Sequence, residues 1–600
     1  VYSPIIKKEF TNYDDDWYIL NNPFIHPFSL KGLGKIFFSS YAGQYSPLPT
    51  VFLGILSVIS GSDPALYNIA ALLLHLINTS LVCWLVFRLS KNSLSSLVIA
   101  LLFGICSVNV EAVAWASAVF KIGFYALFFL ASLIAYTYYL STDKLKYFLL
   151  SLALCVFSVL SKEQAVALVI SLVCIDFLNQ RNLLSRKVIL EKLPFLAVSL
   201  LFGIVTLNAS KSGDSEFIYS DFSLLERIMY ACYALGEYAI KSIMPYKLAA
   251  HYPYPHPKEF SLWFYLHPVI VASLVYLYIR NINTNRKIAF GILFFFTNVA
   301  FTLVLQIVAV RLSVMSDRYS YIPSIGIYYV FIEGLGLLRN KARNYSPVII
   351  LSVFILFFSV RTYMQCGIWH DSITLWNNVI EQNQTIPFAY SNRGNMLAKE
   401  KRYTEALNDF NKAIQLDPNF ANAYYNRGIV FMDGKKYDAA IADYSKAIEL
   451  KPRLTDAYNN RANVFMRQEN YKSAFKDYNK IIEINPAFTE AYGNRGWIFL
   501  NENKFEEALR DFNKAIELKP DYFRAYNNRG TLFLSQKKYE EAIADFSKTI
   551  ELSPGHAKAF YYRGMAEFPL GKIEVACNDL KQAASLGYNP PGDSLLLKCK

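Results

Sequence analysis

The chain has 600 residues, of which 54% are apolar, a net charge of +13 and eight cysteines. Six hundred residues are too many for one hydrophobic core, so two or more domains are expected. The positive balance does not point to nucleic acid, because many of the cations sit in short loops between apolar runs, where orientation in a bilayer requires them. No CxxC or metal-ligand spacing occurs. Cys83, Cys106, Cys155, Cys174 and Cys232 lie in apolar segments as small core residues, and they say little about redox compartment.

Residues 1–366 read as a multi-span membrane domain. Residues 1–12 cannot span a bilayer. Apolar runs follow at about 68–87, 94–108, 122–140, 147–160, 164–178, 193–209, 262–279, 288–310, 319–338 and 346–364. A helix of about 20 apolar residues crosses a hydrocarbon core of about 30 Å, so runs in series predict a polytopic protein. One set of loops is short and basic: Arg88 with Lys91, Lys144 with Lys146, Arg181 to Lys192, Arg280 to Lys287, and Arg339 to Arg343. This set is expected in the cytoplasm. The other holds most carboxylates: Asp14 to Asp16, Glu111, Glu163, Asp214 to Glu226, and Asp317. These face outward, provided that 225–244, which carries Glu237 and Lys241, does not cross alone but lies interfacial or re-entrant. The expected setting is the lipid bilayer of a bacterial inner membrane with the C-terminal region in the periplasm, or the ER membrane with that region luminal in a eukaryote.

A connector at 367–386 leads into a repeat region. Pro418, Pro452, Pro486, Pro520 and Pro554 are 34 residues apart, the tetratricopeptide period. Ala406, Ala440, Ala474, Ala508, Ala542 and Ala576 keep the same step, as do Phe410, Tyr444, Tyr478, Phe512, Phe546 and Leu580. Small residues at Gly394, Gly428, Ala462, Gly496, Gly530 and Gly564 allow the two helices of a repeat to approach closely, and proline ends the second helix. Six repeats are predicted over 387–590, with a tail at 591–600, so the fold class is all-α. Arg393, Arg427, Arg461, Arg495, Arg529 and Arg563 recur opposite Asp409, Asp443, Asp477, Asp511, Asp545 and Asp579. Matched ladders of opposite sign read as structural ion pairs rather than as an anion-binding stripe. A further ladder, Asn392, Asn426, Asn460, Asn494 and Asn528, stands where the first helix of such a repeat faces its groove. An amide offers donors and an acceptor to any peptide backbone, so the groove is expected to take an acceptor or partner polypeptide. The arrangement resembles the asparagine ladder of O-GlcNAc transferase superhelices; solvated repeat consensus is the alternative.

Carboxylates beside a membrane are costly, and here they cluster in outward loops: NYDDDWYILNNP with Asp14, Asp15 and Asp16, VNVEAVAW with Glu111, SKEQ with Lys162 and Glu163, and SDRYSYIPSIG with Asp317 and Arg318. Sugar transfer from a lipid phosphate needs a carboxylate base for the acceptor hydroxyl and cations for the departing phosphate. Aromatic residues near these loops (Trp17, Tyr18, Trp115, Tyr319, Tyr321) suit stacking on sugar or isoprenoid, although interfacial belts also hold Trp and Tyr.

The order of these blocks resembles the transmembrane and tetratricopeptide-repeat family of GT-C fold O-mannosyltransferases, more closely its bacterial relatives. The carriers are Asp14 and Asp15 followed by Asn21, Asn22 and Pro23, the VEAVAW block with Glu111 and Trp115, the pair Lys162–Glu163, the block Asp317 to Gly326, and IWHDSITLW at 368–376. The resemblance implies a GT-C-like membrane domain and a polyprenyl-phosphate sugar donor, mannose-like. It also implies transfer to Ser or Thr hydroxyls of protein on the outer face. Asp14 or Asp15 would be the base with Glu111 supporting it. Lys162 and Arg318 would contact donor phosphate, with Glu163, Asp317 and Tyr319 around them. No metal is implied. Two departures stand out: Ser107, Val108 and Asn109 replace a His-Pro-x-His block, and Lys121–Ile122 replaces Lys-Asp. The family's first span would precede the acidic pair, so a truncated start is expected. The competing reading is a non-catalytic membrane-anchored adaptor whose repeats recruit a partner. A transporter fits less well, because its ionisable groups should line broken helices at mid-membrane.

Overall fold

The computed structural model describes the chain except residues 27, 30–31, 42, 212–221, 256–259, 309–312, 343–345, 589–598 and 600. Asp214, Arg343 and most of the tail at 591–600 therefore lie outside the described residues. Among the described residues every regular element is a helix, and only Tyr41 with Gln44 and Tyr252 with Met315 form isolated bridges. The chain divides into two compact units, Val1–Met396 and Leu397–Lys600.

The first unit opens with short turns at Ser3–Lys7 and Asp16–Leu20, then α1 (Leu33–Phe38), α2 (Pro47–Ser60), α3 (Pro64–Ser90), α4 (Ser93–Gly104), α5 (Val110–Ala114), α6 (Ala116–Thr142) and α7 (Leu145–Val159). It continues with α8 (Leu168–Leu178), α9 (Arg186–Lys211), α10 (Leu224–Ile243), α11 (Leu262–Asn281), α12 (Arg286–Val308), α13 (Ser324–Ala342), α14 (Ser346–Ile368), α15 (Ser372–Gln382) and α16 (Pro387–Lys399). The starts follow local chemistry. Asp63 accepts from the Ala65 amide with Pro64 in the first turn of α3, and Asn92 accepts from the Ser95 amide ahead of α4.

Among the described residues five helices are long and apolar enough to cross a membrane: α3, α6, α9 over Arg186–Ala209, α11, and α14 over Val348–Ile368. A sixth span exists if α4 and the segment Ser107–Ala114, bent by 49°, count as one. The ten expected runs thus do not all become long helices. The run at 147–160 gives the 15-residue α7, about 22 Å long at 1.5 Å per residue and short of a 30 Å core. The run at 164–178 breaks into a 3-10 turn over Glu163–Ala167 and the short α8. The apolar windows of α11 and α14 are only 11% and 17% buried. Leu, Val and Tyr side chains such as Val269, Tyr276, Val353 and Leu356 point outward, an apolar surface that hydrocarbon covers without penalty. By contrast α6 is 78% buried and forms the centre of the unit.

Two polar features tie these helices together. Glu237 on α10 is buried and accepts from His267 Nε2 at 3.0 Å and Trp263 Nε1 at 3.0 Å, both on α11, and from Tyr246 Oη. With its charges, α10 is not among the helices apolar enough to cross. At the other place, Asp176 of α8 and Glu191 of α9 are met by Arg181 and Lys192, with Tyr136 of α6 between them. Arg181 and Lys192, read from sequence as loop cations, are consumed in this closed ion network.

The second unit begins with α17 (Tyr403–Leu416) and repeats a helical hairpin: α18 (Ala421–Asp433) with α19 (Tyr437–Leu450), α20 (Thr455–Arg467) with α21 (Tyr471–Ile484), α22 (Thr489–Asn501) with α23 (Phe505–Leu518), α24 (Phe523–Ser535) with α25 (Tyr539–Leu552), and α26 (Ala557–Glu567) with α27 (Ile573–Ser585). The periodic alanines from Ala406 to Ala576 and the series Phe410, Tyr444, Tyr478, Phe512, Phe546 and Leu580 are all fully buried. A Cβ at Gly428 would meet the Tyr444 ring at 2.8 Å and one at Gly496 the Phe512 ring at 2.8 Å, so the small residue is a steric requirement of the hairpin.

Candidate functional site

The acidic loop turns sharply at Asp14, whose φ of 76° lies in the left-handed region. A non-glycine residue there carries strain that surrounding structure must hold in place. The consequence is a division of labour between neighbours. Asp15 points inward, fully buried, and accepts from Thr11 N at 2.9 Å, Thr11 Oγ1 at 3.0 Å and Ser117 N at 2.7 Å. Its oxygens are spent on joining the loop to the start of α6. Asp14 points outward and is solvent-exposed, although protein closes round it on its other sides. That crowding pushes its carboxyl up from the ordinary range, and the nearby Lys121 and Arg318 cations pull the other way.

Three cations share this neighbourhood. Lys121, a single lysine inside α6, donates to Gln44 Oε1 at 2.7 Å and lies 3.4 Å from the centroid of the Tyr18 ring. Lys162 is buried 5.5 Å from the Tyr319 ring centroid. Burial lowers its pKa, and the adjoining Glu163 opposes that. Arg318 donates through its backbone N–H to Glu111 Oε2 at 2.8 Å and through Nη1 to Glu111 Oε1. Its guanidinium sits 4.8 Å from the Trp115 ring and 5.0 Å from the Tyr319 ring. Glu111 is buried, and with both oxygens taken it acts on Arg318 rather than on a substrate. Tyr13 stacks against Trp115 with centroids 4.7 Å apart.

The expected loops therefore meet: Asp14, Glu111, Lys162, Glu163, Arg318 and Tyr319 belong to one cluster. Asp317 lies near Glu111, but its carboxylate is engaged by Tyr252, whose Oη donates at 2.9 and 2.8 Å. Burial pushes the Asp317 pKa up to about 7 against the pull of Lys241. Lys121 was not expected as a site residue, although a lone lysine within 27 apolar residues is the signal that would have marked it. Among the described residues no three His, Cys, Asp or Glu side chains come together as a metal site.

In the repeat region the arginine ladder is closed. Arg427, Arg461, Arg495, Arg529 and Arg563 each bind the aspartate 16 residues onward through Nε and Nη2, as in Arg495–Asp511 at 2.7 and 2.7 Å. Nη1 of each reaches back to the residue 16 positions earlier: Asn411, Ser445, Asn479, Asn513 and Ser547 in turn. Arg393 likewise donates to Asn377. Every such guanidinium in the ladder from Arg427 onward is thus occupied and offers no anion site. The asparagine ladder is half-buried throughout. Asn460 donates to Tyr425 Oη at 3.2 Å, Asn494 bonds the Tyr478 hydroxyl, Asn528 lies 3.5 Å from the Asn527 amide, and the Asn392 carbonyl accepts from Asn12. Cys577 and Cys599 form a disulfide that sequence spacing did not suggest.

Sequence-family profiles described as TPR repeat match residues 394–434, and profiles described as tetratricopeptide repeat match 421–454, 455–488 and 494–557. No curated relative matches the chain. Among solved structures, YrrB, described as a TPR protein with an unusual peptide-binding site, is 28% identical over 31% of this chain and 97% of its own, with a TM-score of 0.28. A tetratricopeptide repeat protein from Parabacteroides merdae is 21% identical over 44% of this chain and 98% of its own, with a TM-score of 0.31. PilF of Pseudomonas aeruginosa is 19% identical over 35% and 95%, with a TM-score of 0.32. The C-terminal region is an array of tetratricopeptide repeats, a module that generally engages polypeptide partners.

Proposed function

We propose that the first unit is a membrane glycosyltransferase that moves a mannose-like sugar from a polyprenyl-phosphate donor to Ser or Thr hydroxyls of protein, on the non-cytoplasmic face, while the repeats hold the acceptor or a partner polypeptide. The observation that carries this reading is one exposed, strained carboxylate, Asp14, beside Lys121 and Arg318, which Lys162 adjoins in turn. Asp14 takes the proton of the acceptor hydroxyl as the oxygen bonds to the anomeric carbon. The bond from that carbon to the phosphate oxygen breaks, and its electron pair leaves on the phosphate, where the cations stabilise the added charge. Direct attack of the acceptor oxygen in one displacement inverts the anomeric centre. The Cys577–Cys599 disulfide supports an oxidising, non-cytoplasmic setting for the repeats.

The test is a transfer assay on the full chain in detergent or liposomes with labelled polyprenyl-phosphate sugars. Asp14→Asn should lower the rate by about 10²–10⁴-fold, the usual contribution of a general base. Asp15→Asn should act mainly on folding of the loop. Equal transfer by wild type and Asp14→Asn rejects the assignment. Partner capture by the repeats without any transfer by wild type favours the adaptor instead.

A further inference from the structure

The connector is hydrogen-bonded to the loop that carries Asp14, and one residue makes most of the connections. Asn12 donates its backbone N–H to Ser372 Oγ at 2.9 Å. Its Oδ1 accepts from Trp376 Nε1 at 2.7 Å, and its Nδ2 donates to the Asn392 carbonyl at 3.1 Å. Those three partners lie on α15 and α16, 360 to 380 residues further along the chain. Two neighbours reinforce the seam: the Glu9 amide donates to the His370 carbonyl at 3.0 Å, and the Tyr13 ring meets Trp376 edge-on at 5.4 Å. Ser372 and Trp376 are buried, so these bonds are shielded from competing water. Asp14 follows two residues after Asn12, with φ in the left-handed region. A strained turn persists only where its flanks are fixed, and Asn12 fixes one flank while Asp15 fixes the other.

We infer that Asn12 is a positioning residue through which the connector helix α15 and the first repeat helix α16 hold Asp14 at the site, so that the base is correctly placed only when both are docked. The role rests on the transferase reading for its catalytic consequence but not for its structural one. A misplacement of about 1 Å in a catalytic group costs up to about 10²-fold in rate while leaving binding of a distant substrate part intact.

The experiment uses the full chain in detergent, comparing wild type, Asn12→Ala, Trp376→Phe and the double variant. Trp376→Phe keeps an aromatic side chain while removing the N–H together with the fused five-membered ring, and it guards against an unfolded Asn12→Ala. Hydrogen exchange of the amides at 11–18 is expected to rise about tenfold in each single variant, as loss of one buried hydrogen bond predicts. The kcat for transfer should fall about tenfold or more, with KM for the lipid-phosphate donor within about twofold. Because both variants break one shared bond, the double variant should resemble Asn12→Ala rather than multiply the two effects. Unchanged exchange at 11–18 in both single variants, or fully multiplicative effects, overturns the inference. If wild type transfers no sugar, the transferase reading fails, while the exchange data still decide whether Asn12 anchors the loop.

Discussion

Asp14 and Asp15 are adjacent and chemically identical, yet their surroundings give them separate work. Which one is open depends on a single left-handed residue, and backbone handedness at a non-glycine position leaves no mark in composition or spacing. Glu111, Lys162 and Arg318 were legible because each is a charged residue at the end of an apolar run. Lys121 was not, because it stands in the sequence only as a departure from a neighbouring pattern, and the bond of Asp317 to Tyr252, 65 residues away, is a tertiary contact that spacing does not encode. The site also has a pH signature. The protein closing round the inner side of Asp14 raises its pKa, so its basic form fills at higher pH than an ordinary aspartate, and the acid limb of kcat/KM should lie above about pH 4. Burial lowers Lys162, so its charge is lost at lower pH than an ordinary lysine, which pulls the alkaline limb down. Lys162→Arg, with a guanidinium that does not titrate in this range, should move the alkaline limb upward in a pH–rate profile; an unmoved limb removes Lys162 from the reaction.

At the scale of elements, the solenoid was readable to the residue because its constraint is local and repeated: a small residue, an alanine and an aromatic must coincide every 34 positions for two helices to touch. The membrane helices were readable as apolar runs but not as lengths. The breaks at Gly104 and over Glu163–Ala167 arise where the connecting loops fold into the unit as 3-10 turns, a tertiary effect that hydropathy does not encode. The helix Pro47–Ser60 was missed altogether, since 14 residues interrupted by proline and glycine fall below a span-length window. The ion-pair ladder carries a measurable share of repeat stability. Asp511 is 9% exposed and Arg495 19%, so Arg495→Ala strands a nearly buried carboxylate and should cost about 3 kcal/mol. Thermal unfolding of the isolated variant pair should show this loss for Arg495→Ala and no shift for Lys514→Ala, whose partner Glu517 is exposed.

For the molecule as a whole, sidedness is the property on which function turns. The loops bearing Asp14, Glu111 and Glu163 gather into one cluster, while the basic loop at Arg181 to Lys192 is drawn into a separate ion network with Asp176 and Glu191. The disulfide offers an independent reading of compartment. In intact cells Cys577 and Cys599 should resist thiol alkylation until a reductant is added, and Cys577→Ser should destabilise the last hairpin by about 2–4 kcal/mol. Free thiols at both positions in cells would place the repeats in a reducing compartment and contradict the outward topology.

The double grip of each arginine has a structural corollary. One guanidinium clasps the aspartate of its own hairpin and also the Asn or Ser at the end of the hairpin before it, and both acceptor types serve at that place. Any hairpin therefore presents its neighbour with the same socket that it receives. Units of 34 residues behave as interchangeable bricks, so evolution or an engineer can lengthen or shorten the array in whole steps, and change its reach toward a partner, without redesigning a single joint.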